Sequence, residues 1–364
     1  MTDKWQRTRS ERHRAKVRGQ IIKGSMLRVL CCMLFVLSLL LPSPLLAKIT
    51  GVCSNCHTMH NSQNGQAMSF DGTTHEYLLR GDCIGCHAQN TSQNINPNGN
   101  IPQVLHTNAT DLAAGNFRYY LDSQTNVHNV YGIAPQDNVL LNNPPGYLSG
   151  YDPANPIFDT NSRLVCAGRN GCHGNRDQVG QLAAIKGAHH YNDSMLKFGS
   201  INEANQGGGS GGTSDYTTTG KSYRFLYNVQ GAEESSWLNE SSTKHNEYKG
   251  ALFATRTSQS WGNINTISEL CAECHGNYHA SGSGYIGSAS PWLRHPTDKR
   301  LGRQSSSGEY ANYTTYDVMA PVGRVDSLNT YTAPTSTVAA GANDVIICLS
   351  CHKAHGSPYF KIMK

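Results

Sequence analysis

The chain has 364 residues, only 38% of them hydrophobic, with 36 Gly, 14 Pro and 18 Tyr. So little apolar side chain cannot alone fill the core of one large domain, and 12 Cys with 16 His point to a cofactor in that place rather than to disorder. The net charge of +5 comes from residues 1–47, which carry nine Lys or Arg against two Asp or Glu; removing their 9 − 2 = 7 charges leaves 5 − 7 = −2, so a nucleic-acid partner has no electrostatic support.

Residues 1–47 read as a secretory signal peptide. A basic leader is followed by an apolar run from Val29 to Leu41 and by "LLA" before Lys48. The run is shorter than the roughly 20 residues of a membrane helix, so cleavage and no membrane span afterwards are expected. Met1 and Met26 are both possible starts, and Cys31 and Cys32 leave with the signal.

From Lys48 onward the cysteines come only in close pairs, each followed directly by His. In chain order these are "CSNCH" (Cys53, Cys56, His57), "CIGCH" (Cys83, Cys86, His87), "CAGRNGCH" (Cys166, Cys172, His173), "CAECH" (Cys271, Cys274, His275) and "CLSCH" (Cys348, Cys351, His352). C-x-x-C-H is the attachment signature of c-type haem: two thiols bond to the vinyl groups and the adjacent His reaches the iron. A disulfide framework does not need a His after every pair, and structural zinc does not use this pattern. The third copy is stretched. Gly168 and Gly171 would let its spacer bulge so that Cys166 and Cys172 still meet one haem edge, which makes it an insertion within a fifth haem site.

Five haems need five further axial ligands. The chain after Lys48 holds five Met, at 59, 68, 195, 319 and 363, none in a recurrent setting, and ten His beyond those in the motifs. All five irons are therefore expected to be bis-His and low in potential, with no position open to substrate. The distal candidates are His60, His128, His189, His190, His245, His295 and His355, while His75, His106 and His279 stand in no such setting. His60 in "CHTMH" and His355 in "CHKAH" lie three residues beyond their own proximal ligand, too close to cross to the far face of that haem but able to reach a neighbour. "HNVYG" at His128 is echoed by "HNEYKG" at His245, which suggests matching roles. "WLRHPTD" fixes the backbone around His295 through the following Pro. On a helix His189 and His190 would point about 100° apart, so only one of them should bind.

The expected fold is a multihaem cytochrome c: mostly irregular chain, short α-helices at the haem motifs and around "HEYLLRG", very little β, and a haem-packed core. Residues 48–204 hold three haems, 205–215 form a Gly/Ser-rich linker, and 216–364 hold two, the whole expected to be one continuous unit. "NINPNGNIPQ" and "NNPPGYLSGYDPANP" are turn-rich connectors.

"GVCSNCHTMHNS", "SPWLRHPTD" and the closing "CLSCHKAHGSP" resemble the multihaem outer-surface cytochromes of metal-reducing bacteria, including those that polymerise into extracellular filaments. The resemblance implies a chain of closely spaced bis-His haems, a cell-surface or extracellular location, redox-partner cytochromes, and a homopolymer in which His60 ligates a haem of the next subunit. The stretched third motif departs from the pattern. A soluble periplasmic electron shuttle is the alternative with the same haems. A multihaem reductase would need an open iron, and all five proximal positions are His.

Overall fold

The computed structural model describes residues 57, 62–63, 66–67, 83–88, 92–97, 101–147, 159–174, 176, 178–185, 226, 229, 231–232, 241–252, 266–279, 295–301, 310, 312–325, 334–338 and 343–364. The signal, "HEYLLRG" and the 205–215 stretch lie outside these residues. Contacts divide the chain into two compact units, Met1–Leu46 and Ala47–Lys364, and the second carries all five motifs.

Regular structure is sparse and short. Two antiparallel ribbons pair β1 (Ser62–Gln63) with β2 (Gln66–Ala67), and β3 (Ile95–Asn96) with β4 (Ile101–Pro102). A four-stranded sheet has the order β5 (Gly231–Ala232), β6 (Glu247–Lys249), β7 (Val322–Arg324), β8 (Asp344–Ile346); β6 and β7 run parallel and the other pairs antiparallel. Among the described residues the α-helices are α1 (Cys83–His87), α2 (Gln181–Ala184), α3 (Ile267–Cys274) and α4 (Cys348–Cys351). Three of these four are the attachment motifs themselves, as the sequence leads one to expect.

Each helix starts for a local reason. Thr266 caps α3, its Oγ1 accepting from the Glu269 N–H at 3.1 Å. Residue 347 ends the β8 segment and opens α4, its N–H donating to Ser350 Oγ at 3.0 Å. The Cys348 N–H reaches Ser268 Oγ at 3.3 Å, so α3 and α4 are joined at their N-termini.

The apolar interior is divided into three small clusters. Leu226, Val229, Tyr248, Ile267, Leu270, Val345 and Ile347 pack with Cys271 and Leu349 against them. Phe117, Tyr119, Val127, Val130 and Ala134 form a second, with Cys166 at its margin. Leu301, Tyr316, Val322 and Val338 form the third. A chain that buries so little side chain in separate clusters is organised around the attachment sites that the first two of them border.

Candidate haem-binding site

The ordinary motifs and the stretched one make the same backbone bond. In α3 the His275 N–H donates to Cys271 O at 2.9 Å, and in α4 the His352 N–H donates to Cys348 O at 3.0 Å, one helical turn in each case. In the third motif the His173 N–H donates to Cys166 O at 3.0 Å across seven residues. The expectation of a helix at this motif is corrected here: it is a folded loop, because three additional residues cannot be held within one turn. Gly168 takes a left-handed φ of +84°, and a Cβ at Gly171 would stand 2.5 Å from the Ala167 nitrogen. Asn170 anchors the bulge by donating to Asp159 O at 2.7 Å and Ser162 O at 3.1 Å, and Gln181 Oε1 accepts from the Cys166 N–H at 2.8 Å. The eight described cysteines are all thiols rather than disulfides.

Several imidazoles are fixed in one tautomer. The Nδ1–H of His87 donates to Pro102 O at 2.8 Å, that of His275 to Pro145 O at 2.7 Å, that of His128 to Ala354 O at 2.6 Å and that of His352 to Lys361 O at 3.0 Å. A proton held on Nδ1 leaves Nε2 with its lone pair, the arrangement found in metal-ligating histidine. Burial pushes His87, His128 and His352 below the ordinary imidazole range, His275 down to about 4 and His355 down to about 3. These rings are neutral, as iron requires.

Three pairs of rings face each other at one characteristic spacing. His128 and His275 have centroids 6.1 Å apart, His355 and His173 6.4 Å, His295 and His352 6.3 Å. An iron bonded to two imidazole nitrogens at about 2.0 Å each places the ring centroids about 6.3 Å apart. Direct ring stacking is much closer, as in His245 on Tyr316 at 3.6 Å. The residues present therefore fit haem on an observation independent of the motifs. His355 stands at this spacing from His173, which belongs to another motif.

The remaining histidines are placed differently. His245 is fully buried, with Nδ1 on Ser241 O at 3.2 Å and Nε2 on Glu247 Oε1 at 3.2 Å. Both nitrogens face oxygen acceptors, an environment unlike the backbone-carbonyl clip of His128. The His106 Nδ1 accepts from the Asn108 N–H at 3.2 Å, which puts its proton on Nε2 and sets it aside as a ligand. His279 lies against Cys348, Nε2 to Sγ at 3.6 Å, with Nδ1 3.3 Å from Thr297 Oγ1. His57 is half-buried. Cys53, Cys56, His60, His75, His189 and His190 lie outside the described residues.

The attachment sites converge. The Cys271 and Cys348 side chains hydrogen-bond to each other, and Cys172 and Cys274 are close enough to act on Cys271. Tyr278 links two of the facing pairs, with its ring 5.9 Å from that of His275 and 4.5 Å from that of His295. The His128 N–H donates to His355 O at 3.1 Å, which ties the distal rings of two sites to one backbone clip. Neither Tyr278 nor the carboxylate beside His245 is marked by the motif pattern.

No family model matches the chain. Over 84% of its length and 77% of the relative's, it is 26% identical to the C-type cytochrome OmcS of Geobacter sulfurreducens. Among solved structures it resembles the OmcS nanowires of Geobacter sulfurreducens, with a TM-score of 0.45 at 20% identity over 87% of this chain and 84% of the other. The Outer Membrane Cytochrome S filament from the same organism gives a TM-score of 0.42 at 18% identity, with the same coverage. The motifs and the ring spacing both fit c-type haem as the group these residues could hold.

Proposed function

We propose that this c-type cytochrome is an exported carrier of electrons with five haems, each iron held between two histidines, and that it works as the subunit of an extracellular homopolymeric filament. The observation that carries the reading is the trio of facing imidazole pairs at 6.1, 6.4 and 6.3 Å. When bound, each haem supplies a reversible one-electron iron couple, and two imidazoles leave no position for substrate.

The protein's own residues then have distinct tasks. Cys166 and Cys172, Cys271 and Cys274, and Cys348 and Cys351 would attach three haems, whose irons would be held by His173 with His355, His275 with His128 and His352 with His295. The backbone carbonyls of residues 102, 145, 354 and 361 hold the ring planes and keep the proton on Nδ1. The contact of Cys271 with Cys348 brings two attachment edges together, the short separation that favours transfer between sites. The haems of His57 and His87 are assigned their distal ligands from His60, His189 and His190, with His60 serving a neighbouring subunit.

An intact mass of the secreted protein tests the haem number: five haem additions are expected, and four would remove the stretched site. Electron micrographs of the secreted material test the polymer. Filaments are expected from the wild type and none from His60→Ala, so unchanged filaments in the variant would remove the intersubunit role. Particles without filaments in the wild type would return the chain to a soluble shuttle.

A further inference from the structure

Arg176 stands three residues beyond His173 and is 2% exposed. Its guanidinium pairs through Nη1 with Glu273, the residue before Cys274 on α3, whose side chain is 14% exposed. It also hydrogen-bonds to the Cys274 side chain and lies close enough to Cys172 to act on it electrostatically. These two cysteines belong to different attachment sites, those of His173 and His275. The buried Nε–H meets no acceptor among the described residues, which fits a guanidinium packed against a prosthetic group.

An arginine keeps its charge at any pH the fold meets, and a buried charge acts through a low local dielectric. Reduction adds one electron to a haem. A cation beside the haem edge favours the reduced form, and a carboxylate in the same place opposes it. Glu273 keeps the buried cation from being unpaired, so the two charges work against each other at one junction.

We propose that the Arg176–Glu273 pair sets the relative redox potentials of the haems attached through Cys172 and Cys274, and so the driving force for the electron that leaves one and arrives at the other. The inference rests on the electron-carrier reading above. Arg176 and Glu273 touch no iron: they are tuning residues acting on two neighbouring sites.

Spectroelectrochemical titration of the intact holoprotein tests it, with wild type, Arg176→Lys, Arg176→Met and Glu273→Gln compared in one buffer. Arg176→Met leaves the carboxylate alone and lowers the potential of two of the five waves, by roughly tenfold in the reduction equilibrium, about 59 mV for one electron. Glu273→Gln leaves the cation alone and raises the same two, while Arg176→Lys stays near the wild type. A purely structural role would move both neutralised variants in one direction, so shifts of the same sign, or none, overturn the charge-pair inference. If Arg176→Met fails to fold, the near-isosteric Glu273→Gln still decides by the sign of its shift. A wild type without low-spin haem signals would instead overturn the underlying reading, so the two failures are distinguishable.

Discussion

The segments "HNVYG" at His128 and "HNEYKG" at His245 look like two copies of one device, yet the structure gives the two histidines different surroundings. His128 sits on a backbone clip, with Nδ1 on Ala354 O at 2.6 Å, and its ring centroid lies 6.1 Å from that of His275. His245 is closed off by Glu247 two residues later, where the first copy has Val130. That valine is buried in the cluster with Phe117 and Tyr119 and leaves its histidine unopposed. Glu247 instead joins a buried ionic network across β6, β7 and β8: it accepts from Arg324 Nε at 3.0 Å, and Arg324 also pairs with Asp344. On the proposed reading, the residue type at the second position after His separates a metal ligand from a histidine in a salt-bridged core.

The strongest way to break this contrast is at the clip. A Cβ at Gly356 would lie 2.6 Å from Val127 Cγ1 and 2.7 Å from Asn116 O, in the segment that carries His355 and holds His128. Gly356→Ala is therefore expected to convert two haems to high spin together, read as two ferric high-spin equivalents per chain by electron paramagnetic resonance. His128→Ala should convert one, that of His275. His245→Ala should convert none while lowering the denaturation midpoint, and a high-spin signal there would restore His245 as a ligand.

Glu247→Gln sharpens the other half of the comparison. Removing one partner of a buried ionic network costs about 3–5 kcal/mol, so chemical denaturation should show a loss of that order with an unchanged haem spectrum. The pH dependence has a defined sign. Burial would raise the Glu247 pKa, but the bonds to His245, Arg324 and the Thr335 N–H outweigh it and hold it below the usual 4.5. A carboxylate depressed in the folded state contributes stability above its unfolded value, and that contribution is lost as pH falls through the folded one. The wild type should thus lose stability below about pH 4.5 more steeply than Glu247→Gln. The smallest effect is expected at Thr266→Ala, which removes the cap of α3 for about 1 kcal/mol without a spectral change.

Local chemistry was legible in the sequence wherever it depends on neighbours along the chain. Helices at Cys83, Cys271 and Cys348 and the glycine-permitted bulge of the third motif follow from spacing and backbone freedom. What was not legible is non-local. The pairing of His355 with His173, of His128 with His275 and of His295 with His352 depends on segments far apart in sequence, and no periodicity encodes it. The repeat around His245 shares three residues with that around His128, but the substitution of Val by Glu gives the two histidines different surroundings. The four-stranded sheet is built from strands of two or three residues, too short to show an alternating pattern. Arg176 was obscure because its meaning comes from Glu273, on another attachment motif.

The central claim is that every iron in this chain lies between two histidines. Low-temperature electron paramagnetic resonance of the fully oxidised, intact protein measures this directly. Only low-spin ferric signals integrating to five irons per chain are expected, and a high-spin ferric signal in the native protein would contradict the account.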